Sequence, residues 1–406
     1  MIEGDNMKNF IRLVNATIVL GIAISLCGCG LKQNSSTKTS APQSNTNVTV
    51  SNTTKSSTSE TTVQDTSTYL AWVQDADNNL CGYIDKTGKY VIAPQFATAC
   101  SFSKNGLAAV EAADGESLGY GYGYIDISGN FVMDPQFYQA GEYALNGLAA
   151  VTDYDTSALS GYIDSTGYYA IARQFVSVQN FAANGLAAAA KNLKYEVQTV
   201  TTTANGSTET QATTAYQGEN DYVYGYIDST GNFVIEPKFC LAGEFDENGL
   251  AYVAIRDAAD NYLFGIIDTA GDYVVEPQSS IPEYFLPNGL AIAHINDSND
   301  NTLFGFIDKT GNYVIEPQFE SVGIFAENGL SAVSVKLDNG DIRYGYIDKT
   351  GSYVIEPKFT RCENFAMNGI AAVQDAESGL WGYIDKSGYY VIEPGYGAAG
   401  VFSPIN

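Results

Sequence analysis

The chain has 406 residues, with 46 acidic against 20 basic side chains, a formal net charge of −26 and one histidine, His294. A surplus of that sign excludes nucleic acid as a partner, because phosphates must be neutralised by Lys and Arg, and it excludes electrostatic adsorption to an anionic membrane. Hydrophobic residues at 45% and aromatics at 12% suffice for a sizeable core, and short apolar runs bounded by Gly, Asn, Asp and Pro predict an all-β chain.

At the start, Lys8 and Arg12 precede the apolar run LVNATIVLGIAISL, which ends at Leu26-Cys27-Gly28-Cys29. A basic segment, an apolar core and a small residue before cysteine make a secretory signal. The run is too short for a membrane span. Leu26 to Cys29 resembles the bacterial lipoprotein signal, so residues 1–28 are expected to be the signal peptide and Cys29 the lipidated residue. That resemblance implies a diacylglycerol on Cys29, whose two chains anchor stably, and it places the rest of the protein on the extracytoplasmic face of the membrane. Met1 and Met7 are both acceptable starts. Residues 29–68 form the next segment; 20 of the 36 residues from Gln33 to Thr68 are Ser or Thr. Such a stretch has nothing with which to build a core and is expected to be a disordered tether, of a composition that suits a Gram-positive surface.

Residues 69–406 read as one unit written eight times. The Gly-Tyr-Ile-Asp element, or a close variant, starts at Gly82, Gly123, Gly161, Gly225, Gly265, Gly305, Gly345 and Gly382, a period near 40 with one insertion. Three strands per unit are expected: GLAAV (Leu107 to Val110 in the first copy), GYID, and YVIEP. The Asp-x-x-Gly between the last two reads as a hairpin turn with the carboxylate capping the backbone and glycine at positive φ. This turn is expected to set Ile84 opposite Tyr90 and Tyr83 opposite Val91, giving a hairpin that is apolar on both faces and is covered by neighbouring copies. Glu-Pro (Glu236-Pro237 and its equivalents) is expected to end the third strand. Asn-Gly (Asn105-Gly106 and its equivalents) marks the turn before the next GLAAV, and a phenylalanine three residues earlier (Phe102, Phe245, Phe325, Phe365) is expected to plug the core.

The pattern aromatic-Gly-Tyr-Ile-Asp-x-x-Gly-x-x-Val-Ile-x-Pro, with a later Gly-Leu-Ala, resembles the bacterial WG-repeat (KWG-repeat) family over about residues 70 to 402. The Trp-Gly pair itself stands only at Trp381-Gly382. Elsewhere the aromatic is Tyr122, Tyr224, Phe264, Phe304 or Tyr344, and it is replaced by Cys81 and Ser160, where looser packing is expected. The resemblance implies a β-rich repeat domain on a secreted or surface protein and no shared catalytic residue. A 40-residue β unit suits a propeller blade, so the expected architecture is a propeller-like ring of three-stranded units, with an open β-solenoid as the alternative. No strand exchange between the ends is evident.

The repeated aspartates read as turn caps. The acidic loops DADNN (from Asp75), DAADN (from Asp257) and NDSNDN (from Asn296) lack a full calcium ligand set, and His294 has no ligand partner at metal spacing, so no metal and no cofactor are expected. Cys81 and Cys100 share a unit and have the option of pairing; otherwise these, Cys240 and Cys362 are isolated buried thiols. The inserted segment, residues 191–222, reads as a protruding hairpin around Asn205-Gly206, with Tyr195, Val197, Val200 and Tyr216 as candidate ligand contacts, since insertions in repeat arrays map to loops, often on a binding face. No catalytic motif or repeat-breaking carboxylate pair stands out. The expected function is therefore a non-catalytic, surface-anchored binding or scaffold protein engaging cell-wall glycan or another surface protein. The alternative is an extracytoplasmic hydrolase on a propeller-like scaffold.

Overall fold

The computed structural model describes residues 68–113, 121–154, 159–192, 198–204, 207–213, 222–278, 289–296, 301–308 and 310–405. All regular elements among them are β-strands, paired antiparallel. Blade 4 shows the plan. A short strand, Ser177–Val178, pairs with the GLA strand, Ala187–Asn192; this pairs with the GYID strand, Tyr222–Ile227, which pairs with the VIEP strand, Phe233–Phe239. Seven of the eight blades are thus four-stranded rather than three-stranded, and in blade 6 the described residues supply three strands. The extra strand escapes sequence reading because it can be two residues long, as in Leu241–Ala242 of blade 5.

The GYID turn forms as expected. The Asp85 carboxylate accepts the backbone N–H groups of Thr87 and Lys89 at 2.8 and 3.2 Å, and the same cap recurs down to Asp385, with Ser387 and Tyr389. Gly88 and its seven equivalents all have positive φ. Beyond the turn the register departs from a plain hairpin. Ile84 faces Tyr90, but Tyr83 faces Ile92 rather than Val91, because a β-bulge intervenes. Val91 is consequently 49% exposed while Ile92 is 3% exposed. Of the two hairpin strands, only the GYID strand is buried on both faces; the VIEP strand is buried on one.

A second bulge corrects the reading of Glu-Pro. The VIEP strand does not stop at proline: Pro237 lies inside Phe233–Phe239, and the register shifts between Tyr224 and Tyr226. The bulge brings that strand's backbone against the GYID glycine. A Cβ on Gly225 would lie 2.4 Å from the Ile235 carbonyl oxygen and 2.7 Å from the Pro237 nitrogen, and Gly82 and Gly382 are crowded in the same way. Glycine and proline are therefore two halves of one device.

Successive blades are joined by the GYID tyrosine. Tyr83, Tyr124, Tyr162, Tyr226, Tyr346 and Tyr383 are fully buried. Each hydroxyl donates to a backbone carbonyl 17 residues on, in the next blade: Cys100, Gly141, Gln179, Gly243, Glu363 and Gly400, at 2.6–2.9 Å. The ring packs against the plug aromatic two residues further, 4.6 Å between centroids for Tyr83–Phe102 and for Tyr226–Phe245. The plug role expected of Phe102, Phe245, Phe325 and Phe365 holds. The turn glycine of each following blade adds a contact, as Gly129 does against Ile92 and Gly271 against Ile235.

The same seam joins the last blade to the first. Val73 and Gln74 pair with Ala399 and Ala398, and Thr68 to Leu70 pair with Ser403 to Ile405. Tyr383 bonds the Gly400 carbonyl, Phe402 packs on Tyr383 at 4.9 Å, and Gly88 sits against Ile392. A strand exchange between the ends does exist, and the C-terminal segment supplies the short strand of blade 1. The architecture is a propeller-like ring whose first and last blades are hydrogen-bonded.

Two blades lack the tyrosine. Ile266 stands in blade 5, and no atom lies within 4 Å of a Cβ built on Gly311 across that seam. In blade 6 Phe306 replaces it, and the Gly323 carbonyl is taken instead by the buried Ser331 hydroxyl at 2.8 Å. Ser331 occupies a position held by alanine in the other GLA strands (Ala108, Ala149, Ala251, Ala371).

Two outcomes follow for equilibrium unfolding. Tyr226→Phe leaves the buried Gly243 carbonyl without its donor and costs about 1–3 kcal/mol. Ser331→Ala costs a similar amount, and Phe306→Tyr restores about 1 kcal/mol or more only in the Ser331→Ala background, as a double-mutant cycle would measure. Additive effects of these two substitutions would contradict the shared-carbonyl account.

Candidate interaction face

Antiparallel order gives each blade two distinct ends. The Asn-Gly turns and the Asp-x-x-Gly turns fall on one side of the ring; the loops from GLA strand to GYID strand fall on the other, with the links between blades. The first side is uniform. Its Asn105, Asn146, Asn184, Asn328 and Asn368 side chains each accept the backbone N–H two residues on, at 3.0–3.1 Å, and its aspartates cap their own turns. In the turns of Asp164, Asp228, Asp308 and Asp348 the threonine hydroxyl foremost holds the carboxyl below the usual carboxylate range. These side chains are committed to their own backbone. Among the described residues the most exposed aromatics on this side are Tyr168 (76% exposed) and Tyr389 (74%).

The second side carries the variation. The GLA–GYID loop is short at 257–261 and is the 193–221 insertion in blade 4. Two of the acidic loops are solvated turns, in which Asp75 accepts from Asp77 and Asn78, and Asp257 from Ala259 and Asn261; residues 297–300 of the third lie outside the described residues. In the insertion, Gln198–Ala204 pairs with Ser207–Thr213, with Val200 opposite Gln211, so a hairpin forms where expected. Its bounds are narrower than 191–222, because Lys191 and Asn192 pair with Val223 and Tyr222 as blade strands. Of the candidate contacts, Tyr195, Val197, Asn205, Gly206 and Tyr216 lie outside the described residues, as do Cys29 and the segments 1–28 and 29–67.

His294 is exposed on its strand, 6.1 Å from the Phe304 ring. Cys240 and Cys362 are free thiols, and the buried Cys81 thiol reaches the Ala97 carbonyl at 3.9 Å rather than bridging to Cys100. Burial pushes the Cys362 thiol up to about 12, which removes it from thiolate chemistry. At Cys81 the lost aromatic is compensated by Trp72, which packs against the same core cluster. Blade 3 departs furthest from the pattern. Ser160 replaces the aromatic, and Arg173 replaces the proline and bonds Asp153 at 2.7 Å, while the Tyr169 hydroxyl also donates to Asp153.

One carboxylate pair escapes sequence reading. Glu142 and Glu244 each follow the carbonyl that accepts a tyrosine hydroxyl, in blades 3 and 5. Burial, then the charge of Glu244, pushes the Glu142 carboxyl up to about 7, and burial raises Glu244 as well. The Glu142 carboxyl thus senses the charge of Glu244 although the two lie in blades that are not neighbours. The signal was one repeat position, 18 residues after the GYID tyrosine, at which two copies carry glutamate.

Seven segments, 82–114, 122–154, 161–195, 224–257, 304–336, 344–376 and 381–403, match the family described as "WG containing repeat". Together they span more than half of the chain, which belongs to that family. The last two strands of blade 5, Tyr262–Asp268 and Tyr273–Gln278, fall outside the match although their pairing is the same; this is the blade with Ile266 in place of tyrosine. Among solved structures the chain is similar to a eukaryotic initiation factor (12% identity, 82% of this chain and 98% of that one, TM-score 0.48). It is similar also to an acylaminoacyl peptidase of Pyrococcus horikoshii (10%, 74% and 52%, 0.43) and to dipeptidyl peptidase 4 of Porphyromonas gingivalis (10%, 79% and 57%, 0.44). The chain spans just over half the length of each peptidase, and likenesses of this degree say nothing about its activity. No curated protein matches it.

The raised Glu142 carboxyl gives a pH test. Below its unfolded value near 4.3 the group is protonated in both states, and its cost is absent. As pH rises from there through about 7, the unfolded chain ionises first and stability falls. The melting temperature is expected to drop between pH 5 and 7.5, and Glu142→Gln to recover roughly 3 °C at pH 7.5. An unchanged profile in Glu142→Gln would contradict the assignment.

Proposed function

We propose that the chain is a surface-anchored, non-catalytic binding lipoprotein. In this reading Cys29 carries the lipid, the Ser/Thr-rich segment is the tether, and the ring presents its variable side to cell-wall glycan or another surface protein. The observation that carries the reading is the contrast between the two sides. One repeats the same self-capping turns, whereas the other holds the length differences and the insertion. Turns that repeat unchanged around the ring offer a partner little to distinguish; loops that vary in length and sequence are where recognition residues accumulate. The acidic surface suits an extracytoplasmic setting and argues for neutral or basic partners.

The hydrolase reading has one observation in its favour, the Glu142–Glu244 pair, because a carboxyl kept protonated near neutrality beside a second carboxylate is what a general acid requires. Both readings meet in one experiment. Protein spanning residues 68–406 is co-sedimented with insoluble wall material, alongside a form in which residues 195–216 are replaced by a two-residue turn. Saturable binding that weakens at least tenfold without the hairpin is expected, with no release of soluble sugar. Sugar release that stops in Glu142→Gln would favour the hydrolase, and absence of binding in both forms would remove wall glycan as the partner.

A further inference from the structure

Blade 3 has a cavity where its sister blades have a side chain. The reach of that side chain is visible in blade 4. Tyr224 lies opposite Ala190 of the GLA strand, and its hydroxyl donates to Ser177 of the short strand at 3.3 Å. The ring thus spans from the third strand of the blade across the second to the first. Phe264 and Trp381 hold the same position in blades 5 and 8, and both are buried. In blade 3 the residue there is Ser160, opposite Thr152, and Thr152 in turn lies opposite Gln139 of the first strand. The path that a ring follows elsewhere is lined here by small groups.

The space is a cavity of about 210 Å³ lined by Tyr138, Gln139, Ala150, Val151, Thr152, Ser160, Val176, Ser177 and Val178. It exceeds the roughly 150 Å³ apolar cavity that suffices for a benzene-sized ring. Its apolar walls are Ala150 and Val151 on one side and Val176 and Val178 of the neighbouring blade on the other. Its polar groups are the Ser160 and Thr152 hydroxyls, buried and 2.8 Å apart, and Ser177. Half-exposed Tyr138 stands at its edge, packed edge-to-face on Tyr154 at 5.5 Å. Thr152 and Ser160 are the last residue pair before the loop of blade 3, so the cavity lies toward the variable side of the ring.

We propose that this cavity binds a planar aromatic ring bearing one hydrogen-bonding group, of the phenol or indole class, in the place that Tyr or Trp fills in the sister blades. The apolar walls take the ring faces, and the Ser160–Thr152 hydroxyl pair takes the polar edge. The inference does not depend on the lipid anchor or on wall binding. It differs from a merely water-filled gap because the array itself shows which shape the frame was built to hold.

The test uses p-cresol, the tyrosine side chain as a free molecule, titrated into methyl-labelled protein. Saturable shifts of the Val151, Val176 and Val178 methyls in the millimolar range are expected. Ser160→Tyr should abolish those shifts and raise the melting temperature; Ser160→Phe should do the same if the tyrosine variant folds poorly. Absence of saturable shifts at these methyls in the unmodified protein would overturn the proposal. So would shifts that persist in a folded filled variant, or saturable shifts confined to other residues.

Discussion

The ring depends on one contact, the buried phenol of the GYID tyrosine bonded to a backbone carbonyl of the next blade. A buried hydroxyl and a buried carbonyl outside a ladder each carry a cost when unpaired. Each is satisfied only by the other, so a blade standing alone is left with both defects. The aromatic pair behind the bond adds about 0.5–1.5 kcal/mol beyond area burial. Stability is therefore assembled seam by seam from nearest neighbours. Because the last seam repeats the others, the array needs no capping unit at either end. The exchange of Tyr for Phe306 together with Ala for Ser331 supports this account: where the phenol is missing, another hydroxyl reaches the same carbonyl.

The glycine that names the family has an equally local cause. The outer strand of each blade bulges at its proline, and the bulge presses carbonyl and ring nitrogen to within 3 Å of where a Cβ would stand in most blades. A bulged, proline-bearing outer strand also resists pairing with another chain, although a row of half-exposed valines (Val91, Val132, Val234, Val314) runs along it. Edge protection, the glycine and the proline thus share a single geometric origin.

Much of this was legible in the sequence. The period, the capped turns, the plug phenylalanines and the burial of the GYID strand follow from residues whose physical roles are local and repeated. The register beyond the turn was not legible, because a bulge is set by crowding between strands rather than by the turn that joins them. The short strand was missed because two residues carry no periodicity. The closure between ends was missed for the same reason, yet its mark was present: Phe402 follows Tyr383 by the same 19 residues that separate Phe102 from Tyr83. Glu142 and Glu244 are 102 residues apart, and only the ring brings them into one field. At Ser160 the sequence showed the loss of an aromatic, and the structure showed that nothing refilled the space.

The division between a committed side and a variable side follows from the same repetition, since residues bound to their own turns are copied faithfully and the remaining loops are left to differ. All of this rests on the ends of the array meeting. The direct measurement is the distance between spin labels at Lys86 and Lys386, exposed equivalent positions in blades 1 and 8, compared with labels at Lys349 and Lys386 in the consecutive blades 7 and 8. The ring predicts the same short, narrow distribution for both pairs. An open stack of eight sheets about 10 Å apart would place the first pair on the order of 70 Å apart, and that result would contradict the account.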